Sequence, residues 1–78
     1  MITVKLFGLL RVESGIKELR LEANTIKQVY AVLLEHSDKI NEKDIDGCVV
    51  LINGNKGTRK SKLNDGDLVI LMSPTAGG

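Results

Sequence analysis

Apolar and polar residues alternate from the start of the chain. Ile2, Val4 and Leu6 share one parity, and Thr3, Lys5 and Phe7 share the other. That period of two predicts a strand with one apolar face, and it puts Phe7 on the opposite side. A loop is expected around Glu13-Ser14-Gly15. In KELRLEA, Leu19, Leu21 and Ala23 alternate with Glu18, Arg20 and Glu22. This predicts a second strand, antiparallel to the first across a long connection. The period then changes. Ile26, Val29, Tyr30, Leu33 and Leu34 fall at i, i+3, i+4, i+7 and i+8, one apolar stripe of a helix. Thr25-Ile26-Lys27-Gln28 opens it as a capping box, so the helix is expected over 25–37.

DKINEKDIDG is polar and reads as loop. CVVLIN is a β-branched run closed by Asn53-Gly54, a pair that favours hairpin turns because both residues tolerate positive φ. Strands are expected over 48–53 and, briefly, over 56–59. Asp65-Gly66 marks another turn, and DLVILM forms a last strand over 67–72. It is apolar on both faces, as a strand central in its sheet would be.

The order β-β-α-β-β-β predicts an α+β fold, a mixed sheet of four to five strands with one helix packed across one face. The last strand belongs beside the first, joined through the helix by a right-handed crossover. This is the β-grasp, or ubiquitin-like, architecture. Residues 1–72 form the domain, and 73–78 are expected to be a flexible tail ending in Gly77-Gly78.

Composition narrows the function more than the fold. Seventy-eight residues with 42% hydrophobic content suffice for one modest core. Eleven basic and ten acidic residues leave a net charge of +1, without the basic excess of a nucleic-acid binder. Cys48 has no second cysteine to pair with, which excludes an internal disulfide. MITVKLFGLL carries Lys5 and is followed by no small-residue cleavage site, so it reads as a strand and not as a secretory signal. No apolar run is long enough to span a bilayer. The expectation is a cytoplasmic protein that binds neither membrane nor nucleic acid.

Candidate chemistry is sparse. GNKGTRKS lacks the glycine that precedes the lysine of a P-loop. DIDG begins like a calcium loop but lacks its later ligands, and no metal site is expected. His36 is expected in solvent at the C-terminal end of the helix dipole, and Cys48 as a small packing residue. Lys56, Arg59, Lys60 and Lys62 read either as the charged protection of an edge strand or as a docking site for an acidic partner. The last strand is more informative. If Val69 and Leu71 face the helix, then Leu68, Ile70 and Met72 face away from it. Phe7, Ile70 and Met72 then meet on the helix-free side, and an exposed apolar patch marks a partner site.

VKLFGLLRVESG, INGN and LNDGDLVILMSPTAGG together resemble the MoaD/ThiS family of ubiquitin-like sulfur carriers, and most closely the MoaD type, the small subunit of molybdopterin synthase. The resemblance covers essentially the whole chain. The family tail pattern P-P-V-x-G-G is departed from at Ser73 and Thr75. The resemblance implies that an E1-like adenylating enzyme uses ATP to activate the Gly78 carboxylate. Sulfur transfer then gives a thiocarboxylate, which a large synthase subunit of the MoaE type uses. Pro74, Thr75, Ala76 and Gly77 would form the thin tail that enters the partners' active sites. No bound cofactor and no catalytic side chain are implied. Carriers for thiamine thiazole or another sulfur pathway share the pattern, as do ubiquitin-like modifiers joined through Gly78 to lysines of other proteins. A β-grasp adaptor with an inert tail is a further possibility.

Overall fold

The computed structural model describes residues 1–73. Strand β1 (Ile2–Phe7) is followed by a short helix α1 (Leu9–Ser14) and strand β2 (Glu18–Leu21). Helix α2 (Ile26–His36) and a five-residue helix α3 (Glu42–Asp46) come next. Strands β3 (Val49–Ile52), β4 (Asn55–Lys56) and β5 (Leu68–Met72) complete the order.

The five strands form one sheet in the order β2-β1-β5-β3-β4. β1 and β5 run parallel at its centre, with Phe7 opposite Met72 and Lys5 opposite Ile70. All other pairings are antiparallel. The expected β-grasp architecture and the adjacency of first and last strand are therefore observed.

The core follows from parity. Ile2, Val4, Leu6, Val50, Val69 and Leu71 project to one side and are buried there with Ile26, Val29, Tyr30 and Leu33 of α2. Thr25 caps α2, its hydroxyl accepting the Gln28 N–H at 3.3 Å. The Gln28 side chain reaches back to the Asn24 N–H at 2.6 Å, one residue before the donor a capping box uses.

Four local expectations differ from the structure. The connection after β1 contains α1, because Leu10 is only 2% exposed and a helical turn carries it into the core. The polar stretch contains α3, because Ile40 and Ile45 are buried. Asn41 and Asp44 close a reciprocal cap at its start, Asp44 N–H to Asn41 Oδ1 at 3.1 Å and Asn41 N–H to Asp44 Oδ2 at 3.0 Å. The fold thus has three helices among its described residues, where one was expected. The fourth strand is Asn55–Lys56 and not 56–59. The chain leaves the sheet because the carbonyls of Arg59 and Ser61 accept the N–H groups of Lys27 and Ile26 at 3.1 Å each. The basic run is consequently not a strand edge. Of its four residues only Lys56 lies on β4, while Arg59 pairs with Asp46 and stacks 5.7 Å from the Tyr30 ring centroid. The turn at Asn53-Gly54 is as expected, with φ of 51° and 86°.

Candidate functional site

The pleat that buries Val69 and Leu71 turns Leu68, Ile70 and Met72 to the side away from α2. Strand register then assembles that side. Phe7, Met72 and Val49 form one row, because Phe7 and Val49 both lie opposite Met72. Lys5, Ile70 and Leu51 form the next, with Glu18 and Lys56 at its two ends. The structure therefore brings together Phe7, Ile70 and Met72, as expected. Phe7 is 38% exposed, Val49 40% and Met72 41%, with Ile70 half-buried between the rows.

Val49 and Leu51 are members of this surface that the sequence reading did not single out. CVVLIN is apolar at every position but its last, so periodicity says nothing about which residues face outward. Charge borders the patch. Lys5 pairs with Glu18 at 3.9 Å, and a hollow lined by Lys5, Phe7, Arg11, Lys17 and Glu18 opens beside Phe7. Docking surfaces generally combine an apolar centre with a polar or charged rim, and this face has both.

Ser73 follows Met72 directly and is bound back to the sheet. Its N–H donates to the Phe7 carbonyl at 3.3 Å, and its hydroxyl donates to the same oxygen at 3.3 Å. The Ser73 Oγ also accepts the Leu10 N–H at 3.1 Å. The sequence reading placed Ser73 in the tail, and no local signal reveals these contacts. Pro74, Thr75, Ala76, Gly77 and Gly78 lie outside the described residues.

INGN and LNDGD meet in space. Asn53 Nδ2 donates to Asp67 Oδ1 at 2.9 Å, and Asn53 Oδ1 accepts the Leu68 N–H at 2.9 Å. Asp67 Oδ2 accepts the Asn64 N–H at 2.8 Å. These bonds hold the Asp67 carboxyl below the usual carboxylate range. They join the end of β3 to the start of β5, a structural task and not a chemical one. Cys48 donates its thiol hydrogen to the Asp44 carbonyl at 3.1 Å. Burial, with help from Asp44, pushes the thiol up to about 11, so Cys48 is a packing residue and not a nucleophile. His36 ends α2 in solvent, its Nδ1 3.0 Å from the Val32 carbonyl oxygen. Among the described residues no cluster of three His, Cys, Asp or Glu side chains could hold a metal ion. No helix there is long and apolar enough to cross a membrane.

The model of the ThiS family matches residues 4–78, from the second residue pair of β1 through Gly77-Gly78. The chain belongs to the ThiS family. ThiS/MoaD proteins are small ubiquitin-like sulfur carriers, so the chain is of carrier type. No curated protein sequence matches it. Among solved structures it is similar to the small archaeal modifier protein SAMP1 from Haloferax volcanii, at 22% identity and a TM-score of 0.84, covering 99% of this chain and 98% of that one. It is also similar to SAMP1 from Methanosarcina acetivorans, at 28% identity and a TM-score of 0.77, covering 99% and 95%. A chain in the complex of subunits 1 and 2 of the molybdopterin-converting factor from Helicobacter pylori 26695 shares 24% identity, with a TM-score of 0.71 and coverage of 99% and 97%. These likenesses place a ThiS-family chain on the β-grasp fold shared by modifiers and converting-factor subunits alike.

Proposed function

We propose that this ThiS-family chain is a MoaD-type sulfur carrier, the small subunit of a molybdopterin synthase. The observation that carries the proposal is the coincidence of two features. A family match runs through Gly77-Gly78, and Met72, which joins Phe7 and Val49 in the open apolar row, lies a few residues upstream of that sequence.

The chemistry then belongs to the terminal carboxylate. A carboxylate is a poor electrophile. An E1-like enzyme joins the Gly78 carboxylate to the α-phosphate of ATP, and pyrophosphate leaves. A sulfur donor at the sulfide level attacks the acyl carbon, AMP leaves with the electrons of the broken C–O bond, and a thiocarboxylate remains. A large subunit of the MoaE type receives the tail and uses that sulfur. The step needs ATP, which supports a cytoplasmic location for the carrier. Docking through Phe7, Ile70 and Met72 serves both partners in turn.

The test is intact-mass analysis of the protein after incubation with ATP, a sulfur source and its activating enzyme. The expected product has one oxygen exchanged for sulfur at Gly78. Deleting Gly78 should abolish adenylation with the thermal melt unchanged, and undiminished AMP transfer to that truncated chain would overturn the reading. The likeness to the two archaeal modifier proteins favours a second reading, in which the activated Gly78 joins lysines of other proteins. Tryptic peptides from the native host carrying a Gly-Gly remnant on lysine would select it.

A further inference from the structure

We propose that Ser73 is a positioning residue, which fixes the point and direction from which the chain leaves the sheet towards Gly78. The proposal rests on the carrier reading and adds to it a specific device. Three hydrogen bonds converge on this one residue, two to the Phe7 carbonyl and one from the Leu10 N–H. The last of these has a second role. Leu10 lies in the first turn of α1, where the Gly8 carbonyl accepts the Arg11 and Val12 N–H groups and leaves those of Leu9 and Leu10 without helical partners. Gly8, the residue before α1, offers no side chain to cap them. Ser73 provides the cap from 63 residues away.

Gly8 is shaped to admit it. Its φ is 74°, a conformation that L side chains rarely adopt, and a Cβ placed there would stand 2.5 Å from Ser73 Oγ. Both ends of the contact are thus specified, a hydroxyl at 73 and bare backbone at 8. The bonded pair Phe7–Met72 ends the β1–β5 ladder, and Ser73 extends its hold by one residue beyond it.

The physical consequence is a fixed root for the chain that follows. Five residues lie beyond Ser73, and fully extended they reach about 17 Å. With the root clamped beside Phe7 and Met72, docking of the open face also sets where those residues start. Releasing Ser73 adds one more residue to be ordered when the terminus engages an active site. Ordering one residue corresponds to a factor of about 5–30. That loss falls on the reaction of the docked complex and not on docking itself, because the open apolar face is unchanged.

The test uses the full chain with ATP and its E1-like adenylating enzyme, following pyrophosphate release. Ser73→Ala loses both hydroxyl bonds and keeps the backbone bond to the Phe7 carbonyl, so it should lower kcat measurably and by at most about 5–30-fold, with KM unchanged. Amide exchange at Leu10 should quicken in the same variant, reporting that the bond is broken. Gly8→Ala should reproduce the loss, and the double substitution should not add to it, because both remove one contact. Should Gly8→Ala fail to fold, Ser73→Ala decides alone. A wild-type kcat for Ser73→Ala overturns the proposal, as does an effect confined to KM, which would make Ser73 part of the docking surface. If the unchanged protein is not adenylated at all, the carrier reading falls and takes this proposal with it.

Discussion

Leu71 is fully buried against α2, while Met72, the next residue of β5, is 41% exposed on the other side of the sheet. The same contrast separates Leu6 from Phe7 and Val50 from Val49. One side of the sheet closes on a helix and supplies stability. The other is as apolar at its centre but has no covering element among the described residues. The difference shows where this small domain places its free energy. A chain of this size can complete one core, and an exposed apolar surface beyond it is the kind of feature that a partner site generally shows.

The contrast can be broken most strongly from the closed side. Leu71→Ala should cost about 2–5 kcal/mol of unfolding free energy, because it leaves a cavity at the contact between sheet and α2. Chemical denaturation would measure it, and a loss under about 1 kcal/mol would show that the core collapses around the site. On the open side the effect should change in kind. Met72→Asp should weaken binding to the activating enzyme by about 2 kcal/mol or more, while stability falls by less than about 1 kcal/mol. Calorimetry on the complex and a melt of the free protein separate the two. Unfolding by Met72→Asp would mean that the open side also carries the fold.

The smallest effect lies at the seam that both sides share. Asp67 is held below the ordinary carboxylate range by the Asn64 N–H and the Asn53 amide. The unfolded carboxyl titrates near 4, roughly its unperturbed value. Asp67 therefore contributes stability above that pH, and the contribution is lost as pH falls through the lower folded value. Asp67→Asn should flatten the acid limb of the stability curve. The carboxyl is solvent-exposed and screened, so the change should be slight. Superimposable acid limbs would remove the Asn53–Asp67 seam from the account.

What could be read from the sequence divides along the same physical line, between local and distant causes. Helix α2 is legible because Thr25, Gln28 and the stripe from Ile26 to Leu34 lie within one stretch. The open patch is legible because Phe7 falls out of phase with Ile2, Val4 and Leu6. Helix α1 is not legible, since its six residues depend on a hydroxyl supplied by Ser73 and on one buried anchor, Leu10. Helix α3 did carry a signal, the Asn41-x-x-Asp44 cap, but its polar composition hid the two buried isoleucines on either side. Val49 escaped notice because its strand has no polar alternation to mark the outward face. At Gly77-Gly78 the sequence speaks to chemistry alone.

The parallel pairing of β1 with β5 also governs how the molecule is made. Thr3 meets Leu68 and Phe7 meets Met72, so the centre of the sheet joins the two ends of the domain. Until translation has delivered β5, β1 and β3 have no neighbour between them, and α2 has no Val69 or Leu71 to close on. Contacts this distant in sequence slow folding, because loop closure must precede any gain from burial. The nascent chain therefore emerges with open strand edges, a state prone to aggregation. Completion of the core waits on β5, so the domain becomes stable only once Leu68–Met72 have been synthesised and freed to pair.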